Sequence, residues 1–198
     1  VCARHRSRWA ALDWSYERLP PELQRFFARL SVFRGGWTLE MAAAVAPDTP
    51  ARERNDANLQ ALALLEQLRQ CSLVVAEDRP AEPAATRAAH AAGPRLWERN
   101  HASLLKTDDG QPRAALRFQL LETVREYGEE RLTDLGEAAE ACRRHARYFH
   151  EISAHTGPLS LLPGHGLWLA CLEQEQENLR AALTWLLAHD PEAGLELV

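Results

Sequence analysis

Three histidines, His145, His150 and His155, recur every five residues, and cysteines stand at Cys2, Cys71, Cys142 and Cys171. A metal centre would need such donors to converge. On a helix a five-residue step turns about 500°, so these imidazoles drift around the cylinder, and solvated or stacked histidines are expected in place of ligands. The cysteines are far apart and form no C-x-x-C pair, which predicts buried or incidental thiols in a reducing cytoplasm. No serine, histidine or aspartate falls in a nucleophile-elbow or metalloprotease pattern, so no catalytic residue is expected. Phosphate chemistry is equally unsupported. The one lysine, Lys106, follows Leu104 and Leu105 and not a glycine, and no G-x-x-x-x-G-K-[ST] loop exists. The expectation is that the chain on its own does not hydrolyse ATP.

Aromatic chemistry is the other possibility. The stretch "LDWSYERLPPELQRFFARLSVFRGGWTLE", Leu12 to Glu40, is dense in rings. A base-stacking platform would be accompanied by a positive groove, whereas the net charge here is −5. Phe26, Phe27 and Phe33 share a helical spacing with Leu30 and read as core. Trp14, Tyr16 and Trp37 are the candidates for packing between domains, where large aromatics are favoured. Arg4, Arg6 and Arg8 read as a solvated helix end or a contact to a neighbouring domain.

The elements that position these residues follow from periodicity. Arg8 to Arg18 predicts a helix with Trp9, Leu12, Tyr16 and Leu19 along one side. Pro21 suits the first turn of a second helix, whose stripe is Leu23, Phe26, Phe27 and Leu30. Gly35 and Gly36 end that segment, and Thr38 caps a short helix to about Ala46. Asn58 opens a helix with Leu59, Leu62, Leu65 and Leu68 as its apolar positions. A strand of Leu73, Val74 and Val75 follows, paired with one in which Leu116, Phe118 and Leu120 alternate inward against Arg117 and Gln119. Residues 79–113 read as an insertion rich in Ala, Pro and charge. Helices are expected from Leu121 to Leu135 (closed by Gly136), from Glu137 to His155, and from Trp168 to His189. Asp190-Pro191 opens another. The fold class is therefore mainly α with a small β-hairpin, a winged helix-turn-helix followed by antiparallel helix pairs that begin an α-solenoid. The domains are a winged helix over 1–135 and a helical region over 136–198. The chain opens without Met or a signal peptide and stops within a helical pattern, so it reads as part of a longer polypeptide. At 198 residues it has no apolar run of the roughly 20 that a membrane helix needs, which predicts no membrane partner.

With the elements placed, "WSYERLPPELQRFFARLSVF" resembles the entry to the winged-helix domain of the STAND and NB-ARC ATPases. It is most similar to that of bacterial regulators of the LuxR and antibiotic-regulator type. Trp14, Ser15, Tyr16, Leu19, Gln24, Phe27, Leu30, Ser31 and Phe33 carry the match. "LLEQLRQCSLVVAED" and "RFQLLETVREYGEERL" resemble the family's later blocks, and "ACRRHARYFHEIS" and "WLACLEQEQENLRAALTWLL" resemble the start of its tetratricopeptide-like repeats. The resemblance implies a cytoplasmic signalling switch. An upstream domain binds ATP or ADP, and the winged helix packs on it in one state and swings away in the other. The family's Met-His-Asp triplet aligns with Leu120, Leu121 and Glu122. Leu121 cannot offer an imidazole to a phosphate, while Glu122 keeps the acidic position at a helix N-terminus. Partners implied are that upstream domain in cis and a protein on the repeats.

Two rival functions remain open at this stage. A DNA-reading winged helix would place its third helix in the major groove, yet Asn58 to Gln70 offers one arginine (Arg69) against Glu66, with Asp56 just before it. A freestanding protein-binding adaptor would use the Trp168 to His189 face without any ATPase.

Overall fold

The computed structural model describes residues 3–46, 54–78, 116–154 and 174–197. The helices are α1 (Ala3–Glu17), α2 (Pro21–Leu30), α3 (Leu39–Val45) and α4 (Arg54–Gln70). Strands β1 (Val75–Asp78) and β2 (Leu116–Gln119) follow and pair as a small antiparallel sheet. After them come α5 (Glu122–Asp134), α6 (Ala138–Ala154), α7 (Gln176–His189) and α8 (Pro191–Glu196). The fold is mainly α with one hairpin, as the periodicities require. No helix among the described residues is long and apolar enough to cross a membrane.

The described residues fall into two compact units. One holds those up to Ala76 and those from Phe118 to His145; the other holds Glu77, Asp78, Leu116, Arg117 and everything from Ala146 onward. In the first unit α2 is the central element. Pro21 sits at its N-terminus, and Leu23, Phe26, Phe27 and Leu30 are all buried. The side-chain amide of Gln24 donates to the carbonyls of Tyr16 (2.9 Å) and Leu19 (3.1 Å), so it closes the corner from α1 into α2. Thr38 caps α3, its hydroxyl accepting from the Met41 backbone N–H. Beside it Trp37 exchanges two backbone hydrogen bonds with Phe118, at 2.8 and 2.9 Å. This isolated antiparallel bridge adds a third strand position to the hairpin, so from α2 onward the order is helix, strand, helix, helix, hairpin.

Helices α4 and α5 end in the same way. Ser72 N–H donates to the Arg69 carbonyl and Leu73 N–H to that of Leu68; Gly136 and Glu137 repeat the pattern on Thr133 and Leu132. Each is a Schellman motif, which needs a left-handed residue after the C-cap. Gly136 (φ 69°) meets that need without strain, but Ser72 (φ 57°) carries a Cβ there. Ser72→Gly is therefore expected to stabilise the fold by about 0.5–1 kcal/mol. The check is a higher urea midpoint with an unchanged slope.

Four expectations are corrected. Asn58 does not open α4 but lies inside it, the helix beginning at Arg54. Leu59, Leu62, Leu65 and Leu68 do not share one face: the last two are buried, while Leu59 and Leu62 are exposed. Steps of three residues turn only about 300°, so the row slips by about 60° each time, and the buried line runs through Ala61, Leu65 and Leu68 instead. The first strand begins at Val75 and not at Leu73, because Leu73 and Val74 are buried in the turn that closes α4. In β2 the expected alternation is inverted at its start, with Leu116 exposed and Arg117 buried. The guanidinium of Arg117 pairs with the Glu175 carboxylate, and this partner makes its burial tolerable. Trp168, Leu172, His155 and the insertion at 79–113 lie outside the described residues.

Candidate functional site

Leu120, Leu121 and Glu122 sit where β2 gives way to α5. Leu121 is the N-cap of α5, offers it no side-chain hydrogen bond and is 58% exposed. Leu120 is half-buried, and the Glu122 side chain reaches into solvent. One turn on, the buried Arg125 donates from Nε to Glu122 (3.0 Å) and from Nη1 to Glu129 (2.6 Å). Glu129 also receives Arg34, from the turn after α2. The result is a chain of alternating charge, Arg34, Glu129, Arg125 and Glu122, from the turn after α2 to the start of α5. The hydrogen bond from Arg125 holds the Glu122 carboxyl below its ordinary range, so Glu122 is ionised at neutral pH. The acid is thus present and accessible at the start of α5, directly after the exposed Leu121.

The three aromatic candidates separate. Trp14 is 64% exposed on α1, with the Arg18 guanidinium 4.7 Å from its ring centroid. Tyr16 and Trp37 are buried within the first unit. Trp37 stacks on Phe33 at 5.4 Å, and Tyr16 meets Phe27 and Tyr127. Of the three, Trp14 is the one whose ring is exposed.

Of the three histidines, His145 and His150 are described, and they meet different neighbours. His145 is buried with its ring edge-on to Phe33, at 5.1 Å, whereas His150 meets Glu196 at 2.9 Å in the second unit. No group of three or more potential metal donors forms among the described residues. Cys71 and Cys142 are free thiols, and burial pushes the Cys142 thiol pKa up, which keeps it protonated and unreactive. The side chains of Arg4, Arg6 and Arg8 lie outside the described residues.

The outward face of α4 is where a winged helix would read DNA. It presents Asp56, Leu59, Gln60, Leu62, Ala63, Glu66, Gln67 and Arg69. Arg69 is held by Glu66 through two hydrogen bonds of 2.8 and 2.7 Å. The pattern is general. Among arginines whose side chains are described, every one except Arg18 lies within ion-pair distance of a carboxylate. Affinity for a nucleic-acid backbone comes from cations that are available to phosphate. Sequence spacing shows Glu66 and Arg69 as an i, i+3 pair, but the long-range pairs of Arg25, Arg29, Arg34 and Arg117 carry no local signal.

The chain matches no protein-family model and no solved structure. Over 182 residues, 92% of its length, it is 31% identical to a protein of Mycobacterium tuberculosis and to one of Mycobacterium bovis. Both carry the provisional name of HTH-type transcriptional regulator. The chain spans 16% of the length of these relatives. Nearly all of this chain is therefore similar to one segment of much longer proteins named as helix-turn-helix regulators.

Proposed function

We propose that the chain is the winged-helix segment, with the first helices of a repeat region, of a multidomain STAND-type transcriptional regulator. It works by packing against an upstream domain that binds ATP or ADP, and the protein as a whole is cytoplasmic. The domains in this reading are 1–135 and 136–198. The observation that carries it is the outward face of α4, where leucines and carboxylates stand and the one described arginine is already paired. Such a face suits protein contact better than phosphate. Leu121 and Glu122 at the open end of α5, and Trp14 on α1, are the surfaces assigned to the upstream domain.

A second reading, direct readout of DNA, is favoured by the name of the relatives and by the element order. The two readings separate in a titration of the chain with duplex DNA at 0.05 and 0.15 M salt. The packing reading expects no saturable binding at either; tight binding that fades steeply with salt would establish the DNA reader. The switch itself is tested in the full-length regulator. Glu122→Ala removes an exposed acid without opening the core and is expected to raise both the rate of ADP release and transcriptional output. If neither changes, Glu122 has no part in the switch.

A further inference from the structure

Arg117 and Phe118 are consecutive in β2, and the division between the two units falls between them. Successive side chains of a strand leave it on opposite faces, and here both are buried: Arg117 is 8% exposed and Phe118 3%. In the second unit the Arg117 guanidinium meets the carboxylate of Glu175, the N-cap residue of α7. That carboxylate also accepts from the amide of the fully buried Asn178, at 2.8 Å. Nη2 of Arg117 is buried without a hydrogen-bond partner, and Glu175 is the one carboxylate that Arg117 reaches among the described residues. In the first unit Phe118 exchanges two backbone hydrogen bonds with Trp37, which is itself 1% exposed. One short strand thus carries a buried charge paired in one unit and, on the next residue, a backbone bridge of the other.

A guanidinium that loses its carboxylate leaves an unpaired buried charge, which costs more than opening the end of a short strand. The end of β2 is the part that gives way, because Leu116 at its start is already 40% exposed. Movement of the Arg117 backbone towards water displaces Phe118, the next residue, and with it the two bonds to Trp37. We propose that Glu175 is a latch on β2: an event that draws the start of α7 away from Arg117 frees the strand, and the Trp37–Phe118 bridge opens. The device relays a change in the helices of the second unit to the small sheet of the first through one peptide bond. It is independent of what α4 meets, since no residue of α4 takes part.

The test is amide hydrogen exchange of the whole chain, read residue by residue by NMR. In Glu175→Ala the Trp37 and Phe118 amides should exchange about tenfold faster or more, while those of Phe27 and Leu30 on α2 keep their rates. Glu175→Gln keeps an oxygen acceptor for Arg117 and should fall between parent and alanine variant. Arg117→Met/Glu175→Ala removes the charge that drives the opening, and both amides should return to within about threefold of the parent. Unchanged rates at Trp37 and Phe118 in Glu175→Ala would overturn the inference. So would equal acceleration at Phe27 and Leu30, which would reduce the pair to a contribution to global stability. A double variant as fast as Glu175→Ala would also overturn it, because the buried charge would then not be what opens the strand.

Discussion

Glu137→Ala is expected to lower the stability of the fold by about 3 kcal/mol, the scale for breaking a largely buried ion pair. Glu137 follows the Gly136 turn, and its carbonyl accepts the first bond of α6, from Ala141. Its carboxylate accepts from Arg25 Nε at 2.8 Å and from Arg29 Nε at 2.7 Å. Arg29 is 6% exposed and also donates to the Ala46 carbonyl. One acid thereby ties α2, the end of α3 and the start of α6 together. Burial pushes the Glu137 pKa up, but the hydrogen bonds and charges of Arg29 and Arg25 outweigh burial and hold it below the ordinary 4.5. A carboxyl depressed on folding stabilises the protein above its unfolded pKa and loses that contribution as the pH falls through its folded value. The deficit of the alanine variant should be full at pH 7 and narrow below about pH 4.5. Glu137→Gln keeps an acceptor without the charge and should fall between the two proteins. A denaturation series from pH 3 to 7 gives all three curves. An alanine variant that stays within 0.5 kcal/mol of the parent at pH 7 would show that Arg29 finds equal partners elsewhere.

Tyr127→Ala should be at least as damaging, at about 4 kcal/mol. The ring is 1% exposed and touches Trp9, Tyr16 and Phe27, with centroids 5.6, 5.6 and 6.4 Å away. Its hydroxyl donates to Asp13 Oδ1 at 2.7 Å. Burial, with the Asp13 hydrogen bond and charge, pushes the phenol pKa upward, so the donor stays protonated through the alkaline range. Tyr127→Phe keeps the ring contacts and loses one hydrogen bond, and about 1 kcal/mol is expected. The large difference between the two variants would locate the stability in packing. Similar losses for both would assign it to the Asp13 bond instead. Room at this junction is tight: a Cβ built on Gly128 would stand 3.0 Å from Ser31 Cβ, so α2 and α5 approach too closely for a larger residue.

What the sequence made legible was whatever repeats on the scale of a helical turn. The stripe of α2, the Thr38 cap, the Gly136 stop and the proline starts of α2 and α8 are local signals with local causes. Misread features were those decided by distant residues. Leu59 and Leu62 look like core because leucines usually are, and only the fold shows that the buried line of α4 passes through Ala61. Arg117 looks solvent-facing until Glu175, 58 residues away, is placed beside it. The Trp37–Phe118 bridge joins two residues whose neighbours give no strand periodicity at the first of them. In the candidate site, Glu122 was found by resemblance and Arg125 was not, because a charge pair along a helix is ordinary until burial singles out one partner.

The Trp37–Phe118 bridge also bears on the order of assembly. Its partners are 81 positions apart, and Phe27 waits for Tyr127 across a still longer interval. A nascent chain released through β1 therefore carries α2 with Phe27, Phe33 and Trp37 formed but uncovered, and closing that span delays the core relative to a bundle of neighbouring helices. The shortest piece that can complete this core runs into α6 as far as His145, which packs on Phe33, and cutting after the first four helices, which their order alone invites, severs the core from its second half.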